Sequence, residues 1–263
     1  MKKFFEYLSL LLLCASTILL VGLQLKIEGF ILLLISVVFL LLCNKRFRKD
    51  LFLIHISIGI LGITPITTDV SYVHALVMGS GILAAVGIPY VVSRLLYKDH
   101  LVSFHFDYRR KWYKKEFLYI TATAVVAYFL IPFYLHNTGA YINWRVEPGI
   151  NYLTRFFIGI NALGVWDELF FISTVLGILK RHMNFALANL IQAVFFSSFL
   201  YELGFTGWGF IMIYLLSIIQ GYIYQKTGSL FYVITIHLTL DIILFLALIN
   251  AHHPTWVPIF LVK

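Results

Sequence analysis

Two pairs of ionisable residues in otherwise apolar stretches are the best candidates for chemistry in this sequence. Asp167 and Glu168 are adjacent within one long apolar run, and His237 and Asp241 lie four residues apart within another. A charged side chain at the centre of a bilayer costs about 2.5–3.5 kcal/mol, so such residues are functional candidates by default. We therefore take these four as the candidate catalytic residues.

The adjacent acids favour general-base chemistry. Neighbouring residues on a helix point about 100° apart, so one carboxylate can face a polar interior while the other supports it. Two carboxylates in a dry site cannot both ionise cheaply, and a carboxylate that readily takes a proton suits a base that activates water. The alternative for Asp167 and Glu168 is a structural pair of acids bonded to neighbouring helices.

His237 and Asp241 share one helix face and are close enough to interact. An acid beside an imidazole selects its tautomer and stabilises its charged form, so this histidine could hold a water or an oxyanion. The alternative is a structural hydrogen-bonded pair, but the presence of Asp167 and Glu168 in another span favours one shared polar site. His237 and the carboxylates could in principle bind a divalent ion. With one histidine in the pattern, we expect no metal and no other cofactor.

The remaining candidates have weaker patterns. His55 has no partner at helical spacing, which indicates a structural histidine. Glu202 follows Tyr201 near the predicted lipid–water boundary, where a solvated role and a functional role are equally compatible with its position. His252 and His253 lie in a short tail and do not predict a metal site.

The segments around the four candidates resemble the CPBP family of intramembrane endopeptidases, which includes CAAX proteases and bacteriocin-processing enzymes. That family carries EExxxR, FxxxH and HxxxN or HxxxD motifs on separate transmembrane helices. Asp167–Ile172 resembles the first motif, Phe196–Leu200 lies where the second is expected, and His237–Asp241 fits the third. Lys226–Leu230 resembles the turn before the third motif. The resemblance covers roughly Asn151–Ile249.

The resemblance implies hydrolysis of a peptide bond by water, without a covalent intermediate. Asp167 would be the general base and Glu168 its support, while His237 and Asp241 would hold the water or the oxyanion. The sequence departs from the family at three positions: Asp167 replaces a glutamate, Ile172 an arginine and Leu200 a histidine. Loss of an oxyanion donor slows catalysis by about 10²–10³. The resemblance therefore predicts an impaired enzyme or an inactive relative.

Two other function classes stay open. A catalytically inactive member could act as a membrane scaffold or a bacteriocin-immunity protein that binds a peptide or partner. A transporter that relays protons through its acids ranks third, because transporters commonly carry inverted repeats and this sequence shows none.

The composition places these residues in a membrane protein. Of the 263 residues, 61% are hydrophobic and 12% are charged, against about 25% charged in an average soluble domain. We predict an all-α fold, a polytopic transmembrane helix bundle of nine spans, with eight as the alternative count. The nine apolar runs are Phe4–Leu25, Gly29–Cys43, Leu51–Ile66, Val73–Leu96, Phe117–Leu135, Ile150–Leu179, Phe185–Leu203, Phe210–Tyr224 and Leu230–Ile249. The second, third and eighth are short, and the sixth is long enough to be tilted or broken.

The basic residues predict both topology and organisation. With a cytoplasmic N-terminus, the strongly basic loops fall inside, while Lys26, Arg145 and Lys263 remain outside. We expect a bacterial plasma-membrane protein with an uncleaved N-terminal signal anchor and an external C-terminus. Residues 1–96 form a four-span region, 97–116 a basic cytoplasmic loop, and 117–263 a five-span region.

The expected partners are the lipid bilayer and a peptide or membrane-protein substrate. No nucleic-acid partner is expected, because no basic, aromatic-interleaved face stands outside the spans.

Overall fold

The fold consists of helices joined by loops. The structure is a computed structural model that describes residues 2–261, so Lys263 lies outside the described residues. Helices account for every apolar run, and no strand occurs among residues 2–261, which confirms the predicted all-α fold. The helices are α1 (Lys2–Gly22), α2 (Lys26–Leu41), α3 (Lys45–Ile63), α4 (Tyr72–Leu96), α5 (Lys114–Thr138), α6 (Ile150–Leu179), α7 (Phe185–Glu202), α8 (Gly209–Thr227) and α9 (Leu230–His252).

Six helices within residues 2–261 are long and apolar enough to cross a membrane: α1, α4, α5, α6, α7 and α9. The chain is therefore an integral membrane protein with a polytopic helical bundle. The other three helices, α2, α3 and α8, correspond to the three predicted spans that are short in the sequence. The long sixth run is a single helix whose winding changes to π-helical over Glu168–Val175.

The chain divides into two compact units. The first comprises residues 2–67, 76–104 and 169–222, and the second comprises residues 68–75, 105–168 and 223–261. This division differs from a simple separation into an N-terminal and a C-terminal half, because both units draw on early and late parts of the chain.

In the first unit, short polar side chains join α1, α2 and α3. The hydroxyl of Ser36 lies 2.8 Å from Nε2 of His55 and donates to the carbonyl of Ser9. Nδ1 of His55 lies 2.9 Å from the carbonyl oxygen of Leu51. Both ring nitrogens of this buried histidine therefore have partners, which confirms its predicted structural role.

A cluster of charged residues links three segments of the same unit. Oδ2 of Asp50 lies 3.0 Å from Nε2 of His182 and 3.5 Å from Nη1 of Arg181. The same guanidinium nitrogen lies 3.3 Å from Oδ2 of Asp99, which also pairs with Lys49 at 3.1 Å. Asp50 is fully buried. Because a buried carboxylate is tolerated only when it is paired, this cluster ties the start of α3 to the loops after α4 and α6.

Asp99 carries a negative charge at neutral pH. Partial burial raises its pKa, but hydrogen bonds from the backbone N–H of Leu101 and from Lys49 outweigh burial and hold the pKa below its usual value. The contact between Asp99 and Arg181 is therefore a true ion pair.

In the second unit, α9 packs against both α5 and the first part of α6. Gly228, with φ of +64°, turns the chain before α9, and the Ser229 hydroxyl then caps the helix by accepting from the N–H of Tyr232. Farther along, the ring of Phe245 lies 5.6 Å from that of Phe156 and 5.2 Å from that of Phe157 on α6. The cap and these rings set the register of α9 against α6.

Replacing Asp50 by alanine should destabilise the protein strongly. The change leaves the half-buried His182 and the exposed Arg181 without their buried carboxylate. Breaking a fully buried pair costs about 3–5 kcal/mol, and solvent around Arg181 places this change at the lower end. We expect the midpoint of thermal unfolding to fall by roughly 5–15 °C. Glu147→Gln is the matched control, because the Arg145–Glu147 pair is exposed and such pairs contribute less than about 1 kcal/mol. Equal midpoints for the two variants would contradict the structural role of the cluster.

Candidate active site

The two acids lie where the winding of α6 changes. Asp167 is the last residue of the α-helical part, and Glu168 is the first residue of the π-helical segment. The N–H of Glu168 is shared between the carbonyl oxygens of Gly164 and Val165. Both carboxylates are buried, with 1% and 0% of the residue exposed. Local π-helical winding is uncommon and is often found at functional sites, because it changes the direction of the side chains around it.

His237 and Asp241 are presented by α9, one turn apart. Each residue is buried, with 6% of its surface exposed. Their spacing places both side chains on the face of α9 that packs against α6 in the second unit. The two pairs predicted from the sequence therefore converge at one place.

The imidazole of His237 lies at the centre of three carboxylates. Its Nδ1 is 2.8 Å from Oε1 of Glu168, a hydrogen-bond distance. Its Nε2 is 3.8 Å from Oδ2 of Asp167 and 3.7 Å from Oδ1 of Asp241. These two separations are too long for direct hydrogen bonds but short enough for electrostatic interaction. Glu168 is therefore the direct partner of the imidazole, and the two aspartates flank its other nitrogen.

The charge of this cluster has a direct physical consequence. With three ionised carboxylates and a protonated imidazole, the group would carry two net negative charges in a buried setting. Such uncompensated charge is costly in a buried setting, so the charge of each group depends on that of its neighbours. A cluster of this kind can both accept and return a proton, which is what general acid–base chemistry needs.

Two carboxylate oxygens at the site are left without a hydrogen bond from the residues that the structure describes. They are Oδ1 of Asp167 and Oδ2 of Asp241, and both atoms are buried. A buried acceptor without a donor costs about 1–3 kcal/mol, and native proteins keep few of them. Both oxygens are therefore able to accept a hydrogen bond from a water molecule, as a hydrolytic site requires.

Gly164 is a positioning residue that the sequence interpretation missed. A Cβ at this position would collide with Oδ2 of Asp241 and would lie 3.0 Å from Cδ2 of His237. The absence of a side chain therefore lets α9 approach α6 closely enough for His237 to contact Glu168. The signal in the sequence was a glycine one helical turn before Glu168 within an apolar run.

The remaining sequence candidates have the following surroundings. Ile172 and Leu200, which occupy the arginine and histidine positions of the resemblance, are buried apolar residues of the first unit. Glu202 is half-buried at the end of α7. Nε2 of His252 lies 3.1 Å from the carbonyl oxygen of Tyr141, and Nε2 of His253 lies 3.3 Å from that of Val146. These contacts support structural roles for the two tail histidines.

No cluster with the arrangement of a metal site is found in the described chain. No group of three or more histidine, cysteine, aspartate or glutamate side chains within residues 2–261 is arranged to hold an ion. In the four-residue cluster the imidazole stands between the carboxylates, with one of its nitrogens bonded to Glu168. That a metal and other cofactors are dispensable stays a prediction.

Comparison with known proteins identifies the segment that contains the site. Residues 149–243 match the family model described as Rce1-like, type II CAAX prenyl endopeptidase. This match confirms the resemblance to the CPBP family over less than half of the chain, and all four candidate residues lie inside it. At the level of the family it implies a lipid bilayer and peptide substrates. No curated protein and no solved structure matches the chain significantly.

Gly164→Ala should disrupt the site, whereas Gly159→Ala should not. The methyl group at position 164 forces Asp241 and His237 away from α6, and overpacking of this kind costs about 1–3 kcal/mol. At position 159 the nearest neighbouring atom, Cγ1 of Val70, would be 3.8 Å from the new methyl, an ordinary contact. Alanine there favours the helix by up to about 1 kcal/mol. Thermal unfolding of both variants in the same detergent checks the expectation, and equal stability would contradict the close approach at Gly164.

Proposed function

We propose that this integral membrane protein, whose residues 149–243 match the Rce1-like family model, is a CPBP-type intramembrane endopeptidase. It hydrolyses a peptide bond with a water molecule that a carboxylate activates. The observation that carries the proposal is the buried cluster of one imidazole and three carboxylates, which two helices of the matched segment bring together.

Asp167 is the best placed general base. Its Oδ1 has no hydrogen bond from the described residues, so this oxygen is able to accept a proton from a substrate water. The buried setting favours transfer of that proton, because it removes an uncompensated charge. Glu168 acts through His237, since its contact with Nδ1 selects the orientation and the protonation state of the ring.

His237 and Asp241 form the side that stabilises the intermediate. With Nδ1 directed to Glu168, a protonated His237 offers Nε2–H to the oxygen that becomes negative during the attack. Asp241, 3.7 Å from Nε2, favours the charged form of the ring. Asp241 therefore supports the imidazole rather than reacting itself.

The proposed reaction has two steps. The water oxygen bonds to the carbonyl carbon while its proton passes to Asp167, which gives a tetrahedral oxyanion. The intermediate then collapses, the carbon–nitrogen bond breaks, and the proton passes to the leaving amine. No side chain forms a covalent bond with the substrate, so no acyl-enzyme accumulates.

Topology and location form part of the proposal. If all nine apolar runs cross the membrane, the strongly basic loops fall on one side with a cytoplasmic N-terminus, and the C-terminus is external. We place the protein in a bacterial plasma membrane, with a peptide or membrane-protein substrate.

A second candidate function is that of a catalytically inactive relative. Leu200 and Ile172 favour it, because neither side chain can donate a hydrogen bond at the positions where the family motifs carry histidine and arginine. Such a protein would act as a membrane scaffold or a bacteriocin-immunity protein. Asp167→Ala separates the two functions in cells: an intact phenotype at normal protein level favours the inactive relative, and loss of the phenotype favours the enzyme.

Asp167→Asn and Glu168→Gln should each abolish cleavage. Both changes keep the shape of the side chain but remove the charge needed to accept a proton or to orient His237, and general-base catalysis contributes about 10²–10⁴ in rate. The measurement is hydrolysis of a prenylated CaaX peptide by the full chain in liposomes, followed by mass spectrometry of the products.

Glu147→Gln, an exposed acid on the external loop, serves as the control and should cleave at the wild-type rate. Thermal unfolding of every variant ensures that the comparison is between folded proteins. If Asp167→Asn and Glu168→Gln both cleave the peptide at the wild-type rate, the proposed mechanism is wrong.

A further inference from the structure

A strongly basic segment leads into α5 in the second unit, and the reaction makes no use of it. We call Phe106–Lys115 the basic segment. Four of its cationic side chains are exposed: Arg109, Lys111, Lys114 and Lys115. The last two belong to the first turn of α5, one of the membrane-crossing helices.

Aromatic packing and hydrogen bonds hold the basic segment in place. The ring of Trp112 lies 5.2 Å from that of Tyr232 and 5.4 Å from that of Phe117. Just before the segment, the carbonyl of His105 accepts from the N–H of Leu230, the first residue of α9. The segment is therefore docked against the starts of α5 and α9, and its charges have defined positions.

Glu116, the acid that directly follows the segment, is already paired. Oε1 of Glu116 lies 2.5 Å from Nη2 of Arg110, and Oε2 accepts from the N–H of Tyr113 at 2.7 Å. Asp107 is the one other acid in the sequence of the segment. No ion pair among residues 2–261 neutralises the four exposed cations. They also lie at the N-terminus of α5, where the helix dipole favours anions and opposes cations. The basic segment therefore needs negative charge from outside the chain.

Its position identifies the source of that charge. Lys114 is the first residue of a helix long and apolar enough to cross a membrane, so the cations lie where the chain enters the headgroup layer. Charges there are separated from lipid phosphates by less than the ~10 Å over which salt screens charge at 0.1 M. The exposed aromatic rings beside them, Phe106, Tyr108 and Tyr113, are of the kind enriched at membrane interfaces.

We propose that the basic segment is a binding surface for anionic phospholipid headgroups of the leaflet into which α5 enters. The phosphates neutralise the four exposed cations, and the aromatic rings pack among the headgroups. This surface is independent of the proposed hydrolysis and would operate in an inactive relative as well.

The experiment compares phospholipid binding by variants of the full chain. Phosphatidylglycerol, with phosphatidylcholine as the neutral reference, is added to protein in mild detergent, and bound lipid is counted by native mass spectrometry. The variant R109Q/K111Q/K114Q/K115Q should lose at least tenfold in preferential phosphatidylglycerol binding. The control K45Q/R46Q/R145Q removes three exposed positive charges that do not lie at the start of a membrane-crossing helix, and it should stay within twofold of wild type.

Two further variants test whether charge alone is sufficient and whether a smaller change has the same effect. K111R/K114R/K115R retains the charge and should bind like wild type. The smaller variant K114Q/K115Q replaces the fourfold variant if that one does not fold. It should lose at least threefold in preferential phosphatidylglycerol binding. Binding that survives in the segment variants, or that falls equally in the control, would overturn the proposal. So would displacement of phosphatidylglycerol by oligoglutamate at equal charge concentration, which would indicate an acidic protein partner instead.

Discussion

The contact between Glu168 and His237 is the interaction on which the candidate site depends. It joins α6 to α9 at 2.8 Å inside an apolar bundle, where an unpaired charge is costly. The contact requires a glycine at position 164, because any larger residue would push α9 away. It also requires the register that the Ser229 cap and the Phe245 rings give to α9. The glycine, the helix cap and the aromatic rings occupy separate places in the sequence, and all three position the Glu168–His237 contact.

Two structural polar groups in the same chain, Gln192 and His55, have all their partners within the protein, unlike this cluster. Gln192 on α7 bonds both to Asn189 and to the backbone and hydroxyl of Ser217 on α8, so its amide is fully engaged in holding two helices together. His55 likewise has partners at both nitrogens. The four-residue cluster instead keeps buried carboxylate oxygens open at Asp167 and Asp241. Structural polar groups in apolar surroundings are expected to be satisfied, so the open oxygens favour a chemical role.

Much of the fold and of the site could be predicted from the sequence because hydropathy and charge are local signals. Each apolar run became a helix, and the rarity of ionisable residues within those runs was enough to select Asp167, Glu168, His237 and Asp241. The π-helical winding at Glu168 could not be predicted, since the sequence there reads as ordinary helix. The role of Gly164 depends on a residue 77 positions away, Asp241, and the pairing of Asp50 with His182 joins residues 132 positions apart. Such pairs carry no local pattern and emerge only when helices pack.

The most direct test of the central claim is whether positions 167 and 237 touch in the native membrane. Cysteines at these positions, on a background with Cys14 and Cys43 replaced, would be treated in membranes with a short bifunctional thiol crosslinker and the linked peptides identified by mass spectrometry. A Phe157→Cys/Phe245→Cys pair serves as the reference, because those rings lie 5.2 Å apart on the same two helices. The account predicts that positions 167 and 237 crosslink as readily as the reference pair. A reference link without a link between 167 and 237 would contradict it, because the acids and the histidine would then serve separate purposes.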